Sequence, residues 1–150
     1  MPPTILLAVR LSPRPDPTGV AAARLAEQVG GEIVLLYVAE ELETIPQLHA
    51  STGDDQDELR GRIMEELNRE IADYQERNLA GSTVRVRIAE GSVSDEVTRA
   101  AAEEGADYVV IGTETRSAIS HLILGSTTQD ILKRAMVPVM VVPAMMLSER

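Results

Sequence analysis

Gly112, Gly125 and the hydroxyl run Ser126-Thr127-Thr128 are the residues whose types and spacing point to chemistry in this chain. Gly112 closes an apolar run, Tyr108 to Ile111, and Gly125-Ser126 opens a helical pattern after the 12-residue segment Thr113 to Leu124. A glycine at a strand end lets the backbone turn and approach a ligand with no Cβ in the way. The first turn of a helix offers unpaired N–H groups and the positive end of the dipole, which attract an anion. The three hydroxyls add further donors. Together these features describe a phosphate cradle. The same residues also admit a plainer reading, in which Gly112 serves only the turn and Ser126 only caps its helix with Gln129.

Other chemistries find little support. The chain has no cysteine, so it has no disulfide, thiol nucleophile or cysteine metal site. His49 and His121 lie far apart and form no metal-ligand spacing. Any metal is then a Mg²⁺ that travels with a nucleotide. Ser12 and Ser117 have no recognisable His/Asp partner, and neither a G-x-S-x-G elbow nor a Walker A motif occurs. Without a P-loop lysine or a general base, ATP turnover is expected to be slow or nil. The formal charge of −10, from 24 acidic and 14 basic residues, argues against nucleic acid. The absence of Trp and Phe removes base-stacking platforms. Met1 leads straight into a strand pattern and no long apolar span occurs, so a cytoplasmic protein with no membrane contact is expected.

The elements that must position the glycines read as an alternation. Thr4 to Val9, Glu32 to Val38, Tyr108 to Ile111 and Val137 to Val142 are short apolar runs of the kind buried in parallel sheets. Val84, Val86 and Ile88 alternate with Arg85 and Arg87, as in a half-exposed edge strand. After the first strand, RLSPRPDPTG is read as an extended loop, because Pro13, Pro15 and Pro17 exclude helix. Val20 to Val29 forms a helix that Gly30-Gly31 stops. Residues 40–58 are acidic and aperiodic, and are read as a mobile loop. From Leu59, the positions Ile63, Leu67, Ile71 and Tyr74 follow a helical face. Ser92-x-x-Asp95 and Ser126-x-x-Gln129 have cap spacing before the last two helices. Five strands and four helices in alternation predict one α/β domain over 1–150, a Rossmann-like sandwich with two helices on each face. Ligands bind such sheets beyond the carboxyl ends of the strands. If the last strand lies at an edge, its apolar residues and free backbone groups call for a cover, and a homodimer through Val137–Val142 supplies one.

Over essentially its whole length the chain resembles the universal stress protein family. That family carries Gly-x2-Gly-x9-Gly-(Ser/Thr) after the fourth strand, and Gly112, Thr115 and Gly125-Ser126 fit the frame with Thr115 in place of the second glycine. Further likeness lies in ILLAV at the start, Glu90-Gly91, the run from Ala106 to Gly112, and Pro138 to Val142. The resemblance implies a five-stranded parallel sheet in order 3-2-1-4-5 and a homodimer that often pairs its last strands. It also implies a stress-response protein that binds an adenine nucleotide, ATP or AMP, as a signal. The matching site residues are Val38, Gly112, Thr115, Arg116, Gly125, Ser126 and Thr127, with the backbone of Val38 at the adenine and the others around the phosphates.

Two departures from the family pattern leave a non-binding stress protein, acting through protein–protein contacts, as the alternative. Arg10 stands where nucleotide-binding relatives usually have Asp. Glu114 and the β-branched Thr115 put negative charge and bulk where phosphates would lie.

Overall fold

In the computed structural model, residues 1–113 and 124–143 are described. Five parallel strands form one sheet in the order β3-β2-β1-β4-β5. In chain order the strands are β1 (Thr4–Ala8), β2 (Glu32–Val38), β3 (Val84–Ala89), β4 (Tyr108–Gly112) and β5 (Val139–Val142). Between them run α1 (Pro17–Val29), α2 (Ile45–Thr52), α3 (Gln56–Asn78), α4 (Val93–Glu103) and α5 (Ser126–Arg134). The expected sheet order and fold class are the ones observed.

Side-chain alternation divides the sheet into two faces. Ile5, Leu7, Ile33, Leu35 and Val110 pack with Ala22 and Ala26 of α1 and with Ile71 and Tyr74 of α3. Leu6, Val34, Leu36, Val109 and Ile111 pack on the opposite face with Val97 and Ala100 of α4 and Ile131 of α5. Central strands buried on both sides must be apolar throughout, which is why β1, β2 and β4 read as continuous runs. Each fully buried Leu or Ile contributes roughly 1.5–3 kcal/mol over an exposed one, so these strands supply most of the driving force.

Several boundaries differ from the sequence reading. Helix α1 begins at Pro17, inside the proline-rich stretch. Asp16 caps it by accepting from the Thr18 N–H at 3.1 Å, and a proline in the first helical turn loses no hydrogen bond. Residues 40–58 are not a loop. They form a 3₁₀ turn at Glu40–Thr44, then α2, and then the start of α3 at Gln56. Leu42 and Ile45 are buried against Leu59 and Leu67 in a third cluster that covers the end of the sheet. Gly53, at φ 74°, ends α2, and the Asp55 side chain caps α3. Strand β5 starts at Val139, with Val137 in the bend before it.

The exposed edge β3 is guarded by charge. Arg85 pairs with Glu104, and Arg87 pairs with both Glu103 and Glu104, tying the edge to the end of α4. Such an edge repels a further strand. The β5 edge carries only apolar side chains, Val139 to Val142.

Candidate functional site

The carboxyl ends of β1, β2 and β4 and the first turns of α1 and α5 meet at one end of the sheet. Gly112 is the last residue of β4 and lies opposite Val142 of β5. Its φ is not in the left-handed region, so its turn does not demand glycine. A Cβ built on it would lie 2.7 Å from the hydroxyl oxygen of Thr18, in the first turn of α1. On the other side, the Thr128 hydroxyl of α5 donates to the Gly112 carbonyl at 3.4 Å. Thr18 and Thr128 are buried, so Gly112 is held between two hydroxyls from opposite faces of the sheet. The space where a Cβ would point is therefore taken by the Thr18 side chain of α1.

Gly125 is extended, at φ −68° and ψ 166°, and occupies the cap position of α5. Ser126 is then the first helical residue and not the cap, and its side chain is exposed. The Gln129 amide does not close a capping box but reaches past Gly125, donating from Nε2 to the Leu124 carbonyl at 2.9 Å. The cap residue of α5 is glycine, which supplies no side-chain cap hydrogen bond. Helix α1 differs, because the Asp16 carboxylate already sits over its first turn. Of the two helix starts at this end of the sheet, that of α5 has no charged cap residue over its first turn, a setting that favours an anion. At the end of β4, the Thr113 hydroxyl oxygen is buried and has no hydrogen-bond partner among the described residues. A buried hydroxyl left so costs on the order of 1–3 kcal/mol, which an acceptor such as a phosphate oxygen removes.

Val38 ends β2, opposite Ala89 of β3, and its side chain is buried in the core. The next residue, Ala39, donates its N–H to the Ala89 carbonyl at 2.7 Å. Thr127 lies in the first turn of α5, half-buried. Thr115 and Arg116, with Glu114, Ser117 and His121, lie outside the described residues. Arg10 is exposed just after β1. Among the described residues no group of His, Cys, Asp and Glu is arranged to hold a metal ion.

Two tyrosines brace the site's walls, and the sequence reading placed one of them only as an apolar helix position. The Tyr74 hydroxyl of α3 donates to the Asp16 carboxylate in a short hydrogen bond. Asp16 N–H donates to Asn78 Oδ1 at 2.9 Å, and Arg77 donates to the Ser12 carbonyl at 2.7 Å. These bonds fix the proline-rich β1–α1 segment on α3. Burial, then the Asp16 charge, push the Tyr74 phenol far above its ordinary pKa of 10.0. Tyr37, beside Val38, donates to both Glu41 carboxylate oxygens at 2.7 and 2.8 Å. Burial, and then the Glu41 hydrogen bond, raise this phenol as well. The signal for Tyr74 was available: an amphipathic residue at a core position needs a partner for its hydroxyl.

The sequence profile of the universal stress protein family matches residues 1–143. The chain belongs to that family. A universal stress protein of Methanocaldococcus jannaschii is 26% identical over 123 residues, covering 74% of this chain and 76% of the relative. A universal stress protein crystallised in complex with cAMP superposes with a TM-score of 0.62 at 17% identity, over 95% of this chain and 97% of that one. One from Archaeoglobus fulgidus in complex with dAMP superposes with a TM-score of 0.59 at 17% identity, over 95% and 98% of the two chains. At such identities these two structures speak to the fold. Among the described residues no helix is long and apolar enough to cross a membrane.

Proposed function

We propose that this universal stress protein is a cytoplasmic homodimer that binds an adenine nucleotide, ATP or AMP, as a regulatory signal and not as a substrate for turnover. The observation that carries the reading is the buried Thr113 hydroxyl, without a hydrogen-bond partner among the described residues, at the end of β4 where Thr128 of the glycine-capped helix α5 meets Gly112. Phosphates lie over Gly112, Thr115, Arg116 and the Gly125-Ser126-Thr127 turn, and adenine meets the backbone at Val38. Mg²⁺ accompanies the nucleotide only if it is ATP. The dimer forms through the β5 edge. Relatives crystallised with cAMP and dAMP support an adenine ligand for this chain.

A second reading has its own observation. Thr18 fills the space beside Gly112, which accounts for the glycine with no ligand at all. The protein is then a stress-protein dimer that acts through protein contacts. Titration calorimetry with ATP, AMP and cAMP at about 100 μM protein, a level at which even weak sites give heat, separates the two. Saturable heat with one nucleotide is expected. Silence with all three, combined with binding in a Glu114→Ala, Thr115→Gly variant, establishes the second reading.

A further inference from the structure

Arg10, Arg14, Arg24 and Arg77 have no carboxylate partner among the described residues, whereas every other described arginine is paired with one. In a chain with a formal charge of −10, cations left in this way are the exception. Arg24 lies on α1, and the other three meet on one segment. Arg10 and Arg14 belong to the stretch between β1 and α1, and Arg77 of α3 donates to the Ser12 carbonyl between them at 2.7 Å. Asp16 is the one acidic residue between Ala8 and Thr18, and its carboxylate already accepts from the Tyr74 hydroxyl and the Thr18 N–H. The segment therefore carries net positive charge. Pro13, Pro15 and Pro17 stiffen it, and the bonds from Arg77 and to Asn78 tie it to α3. A charge held on a braced segment meets an anion at little ordering cost.

Strand order decides what this charge faces. β1 stands between β2 and β4, at the point where the order of the sheet reverses, and ligands bind such sheets beyond the carboxyl ends at that point. The Val9 N–H still donates to the Leu36 carbonyl of β2 at 3.1 Å, so the exposed Arg10 leaves the sheet directly from the end of β1. With adenine at Val38 on β2 and phosphates at Gly112 and the start of α5, the ribose of the proposed nucleotide spans the end of β1. A carboxylate at that place would accept from the ribose hydroxyls. A guanidinium offers them little, but it presents paired donors that match the oxygens of a phosphate. The same exchange, an acidic residue at the ribose for an arginine, separates sheets that bind a free 2′-hydroxyl from sheets that bind a 2′-phosphate.

We infer that Arg10, with Arg14 on the same segment, forms a subsite for a phosphate on the ribose. The ligand is then an adenine nucleotide phosphorylated at the 2′ or 3′ position as well as at the 5′ position. The inference rests on the nucleotide site proposed above, and the test separates the two. Titration calorimetry compares adenosine 5′-monophosphate with adenosine 2′,5′-bisphosphate and adenosine 3′,5′-bisphosphate. One bisphosphate should bind at least about tenfold tighter than the monophosphate, and the better isomer identifies the position. Arg10→Asp should bring that ratio down to about one or below, and Arg10→Lys, which keeps the charge, should hold it above about threefold. Adenosine 5′-diphosphate carries two phosphates at one end and serves as the control for overall charge. If Arg10→Asp weakens the diphosphate as much as the bisphosphate, Arg10 acts through general charge alone and the subsite is overturned. Equal binding of the monophosphate and both bisphosphates also overturns it, and leaves the nucleotide site standing. Silence with every nucleotide overturns both.

Discussion

At the residue scale, Gly112 shows how a motif glycine is constrained by its own fold as well as by any ligand. The Thr18 hydroxyl lies where its Cβ would point. Gly112→Ala should therefore cost about 1–3 kcal/mol, as overpacking does in a closed site. Thr18→Ser, which keeps the hydroxyl, should not relieve the clash, whereas Thr18→Ala should recover much of it. Urea unfolding of the double-mutant cycle measures the coupling, and additive losses would contradict the contact. Tyr74 gives a second test. Its hydroxyl donates to the Asp16 carboxylate in a part-buried setting. Tyr74→Phe removes a donor and leaves a charged acceptor unsatisfied, which should cost about 1–3 kcal/mol. The loss should be accompanied by faster proteolysis within the segment from Ser12 to Pro17, because Asp16 is its anchor to α3.

At the element scale, the guarded edge at β3 predicts a pH dependence. Hydrogen bonds from Arg85, and then from Arg87, hold the Glu104 carboxyl below its ordinary value of 4.5. A depressed carboxylate contributes stability that is present above its unfolded pKa and is lost as pH falls through its folded pKa. The melting temperature should therefore decline as pH drops below 4.5, the unfolded value for Glu104. Glu104→Gln should flatten that decline while lowering the melting temperature at pH 7, both visible in thermal unfolding followed by circular dichroism. Glu90, lowered by its hydrogen bond from Arg60, acts in the same direction, with less effect because both side chains are solvent-exposed.

The same scale explains what the sequence disclosed. Strands β1, β2 and β4 were legible because burial on both faces leaves an unbroken apolar run, and β3 because its exposed face alternates with arginine. The 40–58 segment was not, since a short helix that covers the end of a sheet needs only Leu42 and Ile45 inside, too few to show a period. Helix α1 began earlier than expected, because three prolines hid a capping Asp16 and a favourable Pro17. In the candidate site, the glycine spacing located Gly112 and Gly125, but the roles of Thr18, Thr113 and Tyr74 depend on contacts between distant segments. No local pattern encodes those contacts.

At the scale of the whole molecule, charge and apolar edge oppose each other. The proposed dimer through β5 would bring together two chains that each carry a formal −10. The β5 edge itself is apolar, so the repulsion is long-range and falls away as salt shortens the screening length from about 20–30 Å near 0.01 M to about 8 Å at 0.15 M. Burial of Val139 and Val141 in the proposed β5 contact is not screened and changes little over that range. Dimer affinity should therefore rise with salt, by roughly 2- to 10-fold between 0.02 and 0.3 M NaCl, through a faster association rate. An interface built on ion pairs would weaken instead. Because a partner that binds only the folded chain stabilises it by mass action, the melting temperature should also rise with protein concentration, more steeply at the higher salt. Sedimentation velocity across a protein and salt series measures both effects. A dissociation constant that increases with salt would place the dimer contact on a charged surface, away from β5.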